Sequence, residues 1–204
     1  MRCIGALVLA AGGSTRLGEP KQLLTSAGET LVHAAVRAAR KGGCATVCVV
    51  TGHARDAVEN AVADLAPVLA HNQEWVRGMG SSLRVGIAAL PPVSAVVVLA
   101  CDQPAVNGSV IRALIERHDH TGQPIVASRY AGTLGIPALF DGSCFQELQN
   151  LPDERGAKAV IIANPDRTTA VDFPAGAIDL DCPEDVAAWR IEALNPAGGA
   201  ALRP

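Results

Sequence analysis

Short apolar runs alternate with amphipathic stretches along most of the chain. Residues 3–9 (CIGALVL), 46–50 (TVCVV), 67–70 (PVLA), 94–100 (SAVVVLA) and 124–128 (PIVAS) are brief and apolar, and predict buried strands. Between them, 30–43 (TLVHAAVRAARKGG), 54–65 (ARDAVENAVADL), 81–90 (SSLRVGIAAL) and 109–118 (SVIRALIERH) carry apolar residues at helical spacing. The first helix opens at Thr30 as N-cap and closes on basic residues and Gly42. Further on, 132–140 (GTLGIPALF) reads as a looser region and 143–150 and 156–163 as short helical stretches. Residues 168–173 (TTAVDF) predict a late strand and 183–194 (PEDVAAWRIEAL) a final helix. Regular alternation of strand and helix, with no repeat and no linker, predicts one Rossmann-like, three-layer α/β/α domain over residues 1–194. Its sheet is mostly parallel, and residues 195–204 form a disordered tail.

Composition narrows the function classes. Hydrophobic residues make up 49% and aromatics 3%, with Ala, Val and Leu supplying most of the apolar content, as in buried parallel strands with covering helices. A net charge of -3 gives no overall positive field for nucleic acid or an anionic membrane, so any cationic site is local. The longest pure apolar run, AVVVLAC, is far too short to span a membrane, and no signal peptide develops before the first glycine turn. Six scattered cysteines, without CxxC or metal spacing, read as reduced thiols of a cytoplasmic protein.

In a sheet of this kind ligands bind beyond the carboxyl ends of the strands. Three loops meet there if the strands are parallel. The first holds Leu9, Ala10, Ala11, Gly12, Gly13, Ser14 and Arg16, then Pro20 and Lys21. The second holds Asn72, Gly78, Gly80, Ser81 and Ser82, and the third Asp102 and Gln103. The first loop is not a P-loop, since Glu19 stands where the lysine belongs, and it lacks the GxGxxG of dinucleotide sites. It offers backbone N–H groups of small residues and two cations, Arg16 and Lys21, which suits a polyphosphate. The plainer reading is a glycine turn with two solvated basic side chains; the spacing of Arg16 and Lys21 around a rigid Pro20 favours a site. Asp102, at the end of the most apolar strand, suits a divalent cation bridging phosphates, or else a simple turn before Pro104. Asp179 and Asp181 offer a second carboxylate if the chain folds back over the site. Ser81 has a structural alternative as a helix cap, and Trp75 reads as an anchor beside Gly78.

Taken in order, LVLAAGGSTRLGEPKQLL, NQEWVRGMGSSL, VVVLACDQP, GTLGIPALF and DLDCPEDV resemble the molybdenum cofactor cytidylyltransferases over residues 4 to 190. The family pattern LAAGxSxRMGxxKxLL is met with Leu17 in place of methionine. The resemblance implies the fold of the nucleotide-diphospho-sugar transferases. It also implies Mg2+-dependent transfer of CMP from CTP to the terminal phosphate of molybdopterin, with release of pyrophosphate. Residues Ala11 to Ser14 would then hold the nucleotide, Arg16 the β and γ phosphates and Lys21 the α-phosphate region. Asp102 and Asp181 would bind magnesium. Leu9, Ala10, Asn72, Gly80, Ser81 and Ser82 would complete the nucleotide site, with the assignment of the last four between base, ribose and acceptor left open. Guanylyl-transferring relatives read LAGG where this chain has Leu9-Ala10-Ala11-Gly12, so Ala11 implies cytidine. A transient contact with a molybdoenzyme or its chaperone is a further implication.

Two segments depart from the family pattern. Ile136 precedes Pro137 where a polar residue is usual, and LPDERGAKAV places Asp153, Glu154 and Lys158 where the family has glycine, aspartate and arginine. The resemblance implies that both segments would contact the acceptor. Transfer from GTP, transfer to another phosphorylated acceptor such as a sugar phosphate, and a non-catalytic nucleotide-binding module therefore stay open as alternatives.

Overall fold

The computed structural model describes residues 3–26 and 28–194; the tail assigned to 195–204 lies outside the described residues. The chain opens with β1 (Ile4–Ala10), buried at every position. A two-strand hairpin, β2 (Thr25–Ser26) and β3 (Glu29–Thr30), leads into α1 (Leu31–Gly42). As expected, Thr30 caps α1: its hydroxyl accepts the N–H of His33 at 3.3 Å. The helix is closed by Gly43, not Gly42, in the left-handed conformation at φ 108°.

β4 (Thr46–Thr51), α2 (Arg55–Ala61), β5 (Val68–His71) and α3 (Met79–Ala89) follow. The helix predicted over 54–65 breaks at Val62, and a 3-10 turn takes over at Ala63–Leu65. α3 starts two residues earlier than predicted. Then come β6 (Ala95–Ala100), α4 (Gly108–Thr121), β7 (Ile125–Tyr130), β8 (Thr133–Asp141), α5 (Phe145–Gln149), α6 (Lys158–Ala163), β9 (Thr168–Asp172) and α7 (Pro183–Leu194).

Seven strands form one sheet in the order β5-β4-β1-β6-β8-β7-β9. β5, β4, β1 and β6 are mutually parallel, β9 is parallel to β7, and β8 runs antiparallel to both β6 and β7. β8 departs most from the sequence pattern, in which 132–140 reads as a looser region. Its Gly135 and Pro137 interrupt a strand pattern, yet the β7–β8 register shifts between Val126 and Ser128, opposite the stretch that carries Pro137. A bulge is where a strand tolerates a residue with no N–H to donate.

The pleat of β1 sends alternate side chains to two cores. Ala6, Val8 and Ala10 pack with Val32, Val36 and Ala39 of α1 and Ile111 and Leu114 of α4. Leu7, Leu9 and Ala11 pack with Leu83 of α3, Leu148 of α5 and Ile161 of α6. The result is the expected three-layer α/β/α arrangement with a mostly parallel sheet. The carboxyl ends of β1, β5 and β6 therefore share one edge, where their loops meet.

Candidate active site

The loop after β1 is shaped from beneath by the segment that follows it. Ser14 adopts φ 50°, and its carbonyl accepts the N–H groups of Leu17 and Gly18, both at 3.0 Å. Pro20 then sets up a 3-10 turn, Lys21–Leu23. The backbone N–H of Lys21 donates to Ser14 Oγ at 3.1 Å. Gln22 is 1% exposed, and its Nε2 donates to the carbonyls of Ala10 (3.1 Å) and Gly12 (2.7 Å). The sequence pattern does not single out Gln22. An amide next to a lysine reads as a solvated turn; the available signal was its place at the head of an otherwise apolar QLL run.

This turn sends the Lys21 ammonium between two carboxylates from distant parts of the chain. Nζ lies 2.5 Å from Asp102 Oδ2 and 2.9 Å from Asp181 Oδ1. Arg16, 73% exposed, reaches the other oxygen of Asp181 at 2.7 Å. Lys21 and Asp102 are only 19% and 18% exposed, so their attraction is poorly screened. Burial alone would lower the Lys21 ammonium, but Asp102 and then Asp181 outweigh it, and the net direction is upward. The bond from Lys21 holds Asp181 below the usual carboxylate range, with Arg16 adding to it. Asp179 goes the other way, pushed up to about 6 by burial and by the charges of Asp102 and Asp181.

Asp181 arrives here because residues 173–181 are tied to the end of β6. The N–H of Leu180 donates to the Asp102 carbonyl at 3.0 Å, and Gln103 Nε2 donates to Gly176 O at 3.0 Å. Leu180 is fully buried against Leu24, Leu31 and Val186, with Leu17 and Trp189 alongside. Leu17, the departure from the family pattern, thus packs the loop after β1 onto the last helix. Asp185 accepts the backbone N–H groups of Asp181 (3.1 Å) and Cys182 (2.9 Å), satisfying donors at the start of the last helix.

The second loop is internally bonded. Asn72, 2% exposed, donates through Nδ2 to Ser81 Oγ (2.8 Å) and Ser82 Oγ (3.0 Å). Ser81 is not the cap: α3 begins at Met79 with Gly78 preceding it, and the Ser81 hydroxyl donates back to Gly78 O at 2.7 Å. The Gly80 N–H is engaged by the carbonyl of Asp153 at 2.8 Å. Gly78 has φ 125°, and a side chain there would collide with the backbone of Asp153. The Asp153 carboxylate is bonded to Arg77 (2.7 Å) and to Arg84. The departing segment around Asp153 therefore clamps the second loop. Trp75 packs its indole against Gly13, with the His53 ring at a 5.1 Å centroid separation, and also lines the cavity.

These loops enclose one cavity, lined by Leu9, Ala11, Gly12, Lys21, Trp75, Ser82 and Asp102 among others. Ala10, Gly13, Ser14, Arg16, Asn72, Gly80, Ser81 and Asp181 stand outside that lining: Arg16 is exposed and reaches it only through Asp181 and Lys21, and Asn72, Gly80 and Ser81 form the framework of the second loop. Among the described residues no group of three or more His, Cys, Asp or Glu side chains is arranged to hold a metal by itself. The donor set of Asp102 and Asp181 fits Mg2+ nonetheless. Both carboxylates converge on one ammonium, and magnesium in phosphoryl-transfer sites takes one or two carboxylates with the rest of its shell from phosphate and water. The described cysteines carry no disulfide, and burial pushes Cys44, Cys48 and Cys101 up to about 12.

The fold is that of the nucleotide-diphospho-sugar transferases, with the cavity at the shared carboxyl edge of the sheet. A family model for the MobA-like NTP transferase domain matches residues 6–168, and the chain belongs to that family. It is 31% identical to Rv0371c of Mycobacterium tuberculosis H37Rv, over 93% of this chain and 98% of that one, with a TM-score of 0.77. The same protein has been solved in complex with manganese, at a TM-score of 0.70 and 31% identity over 91% of this chain and 96% of that one. A nucleotidyl transferase from Methanothermobacter superposes with a TM-score of 0.82 at 24% identity, covering 96% of this chain and all of that one. Nicotine blue oxidoreductase of Paenarthrobacter nicotinovorans is 38% identical over 118 residues, 57% of each chain. The match thus spans little more than half of that curated relative, and 24% of a GlmU from Clavibacter sepedonicus. Among the described residues no helix is long and apolar enough to cross a membrane.

Proposed function

We propose that this chain is a nucleotidyltransferase that moves CMP from CTP to the terminal phosphate of molybdopterin. The observation that carries the reading is the meeting of Lys21, Asp102 and Asp181 beside a glycine loop at the cavity. In the reaction an oxygen of the acceptor phosphate bonds to the α-phosphorus of CTP. The bond from that phosphorus to the β-bridging oxygen breaks, and pyrophosphate leaves. The acceptor phosphate is already anionic near neutral pH, so no side-chain base is required. On this reading Lys21 would neutralise charge near the α-phosphorus, and the exposed Arg16 would swing from Asp181 onto the β and γ phosphates. Asp102 and Asp181 would hold the divalent cation, which supplies charge neutralisation across the phosphates. Ala11, a residue of the cavity lining, would limit room for a larger base, while Ser82 lines the same cavity and Asn72 braces Ser82 from the protein side.

A second reading keeps the nucleotide site and changes the acceptor to another phosphorylated molecule. Asp153 favours it, because the segment that departs from the family pattern is committed to Arg77 and Arg84 and not to the cavity. The test is pyrophosphate release with Mg2+ and molybdopterin, comparing CTP, GTP, ATP and UTP. Release with CTP alone supports the first reading. CTP binding without release on molybdopterin, followed by release with a sugar phosphate, supports the second. Binding without release on any acceptor leaves a nucleotide-binding module. If the first reading holds, the product passes to a molybdoenzyme or its chaperone in the cytoplasm.

A further inference from the structure

A loop holds an anion only when its peptide N–H groups, and not its carbonyl oxygens, face the ligand. A trans peptide is planar, and its C=O and N–H point in opposite directions. Fixing the carbonyl of one residue therefore fixes the N–H of the next on the other side. After β1 the carbonyls of Ala10 and Gly12 both accept Gln22 Nε2, at 3.1 and 2.7 Å. The N–H groups of Ala11 and Gly13 consequently face away from Gln22. Gln22 is 1% exposed beneath the loop, where it borders the cavity beside Ala11 and Gly12, and Gly12 itself is exposed. The exposed Gly12 marks the solvent side of the loop.

The other end of the same amide is telling. Gln22 Oε1 is buried and has no hydrogen-bond partner among the described residues. An unpaired buried oxygen costs stability, and an apolar side chain of equal size would avoid that cost. The glutamine is accounted for by its two donors.

We propose that Gln22 is a positioning residue that sets the polarity of the anion loop: by holding the Ala10 and Gly12 carbonyls inward it turns the Ala11 and Gly13 N–H groups toward a bound polyphosphate nucleotide. The inference rests on the reading of this loop as a nucleotide site. The adjacent bond from the Lys21 N–H to Ser14 Oγ couples the same turn to the loop, so the ammonium and the N–H groups are oriented together.

The test is calorimetric binding of CTP and of inorganic tripolyphosphate to the full chain, with thermal unfolding of each variant. Gln22→Met keeps the volume and loses both donors. Gln22→Glu carries a donor only when its carboxyl is protonated. Gln22→Met should weaken both ligands by about tenfold or more, a change of ~1.4 kcal/mol or more. Gln22→Glu should be as weak at pH 8, with its affinity relative to wild type recovering as the pH is lowered toward 5. A space-filling role alone would leave Gln22→Met at wild-type affinity and give Gln22→Glu no such recovery; either result overturns the proposal. If Gln22→Met does not fold, the pH series of Gln22→Glu decides. Wild type that binds tripolyphosphate but not CTP removes the nucleotide reading and leaves Gln22 to be judged on tripolyphosphate. Wild type that binds neither overturns both.

Discussion

Lys21 Nζ and Asp181 Oδ1 lie 2.9 Å apart although 160 residues separate them in the chain. That contact, with Asp102 at 2.5 Å on the other side, joins the first loop of the sheet to the segment preceding the last helix. Opposite charges pair here, and on the proposed reading a metal–nucleotide complex would exchange those partners: carboxylates to metal, cations to phosphates.

If this exchange underlies turnover, Lys21→Ala and Asp102→Ala should each reduce pyrophosphate release by ~100-fold or more, as when a preorganised charge is removed. Asp181→Asn should behave similarly and also raise the Mg2+ concentration needed for half-maximal rate. Folded variants with near-normal rates would take these residues out of the chemistry.

If Ala11 filters the base as proposed, Ala11→Gly should relax a preference for CTP over GTP. Small apolar differences discriminate by ~1–3 kcal/mol, so the ratio of kcat/KM values should fall by roughly 5- to 150-fold. An unchanged ratio would shift base choice to Asn72, Ser82 and Trp75.

His33 gives a pH-dependent contribution to stability away from the site. Its Nδ1 is 2.6 Å from Glu29 and its Nε2 3.0 Å from Asp64. The bond to Asp64 leads in pushing the imidazole above its ordinary value of 6.5, against burial and with help from Glu29. A raised folded value means the folded state holds the proton more tightly. The gain is then full below pH 6.5 and lost as pH rises through the folded value. His33→Gln should therefore lower Tm clearly at pH 6 and much less at pH 9. Equal losses at both pH values would show that packing, and not charge, matters there.

Gly86 of α3 is buried where a methyl group would run into Leu7 and Val50. Gly86→Ala should cost ~1–3 kcal/mol by overpacking, read as a fall in Tm of roughly 2–4 °C per kcal/mol for a chain of this size. No change in Tm would mean that α3 can slide on β1 and β4 without loss.

The sequence by itself determined the alternation of buried strands and covering helices, the Thr30 cap and the three loops that carry polar residues beyond strand ends. Each is set within a few consecutive residues by periodicity or capping chemistry. It did not determine β8, because Gly135 and Pro137 break the local pattern and the strand is stabilised by pairing with two neighbours. It did not place Gln22, whose role depends on carbonyls ten and twelve residues earlier. Nor did it show that Asp153 clamps Arg77 and Arg84, or that Leu180 delivers Asp181 to Lys21. These depend on segments brought together across the sheet, where long-range packing chooses between partners that local sequence leaves equivalent.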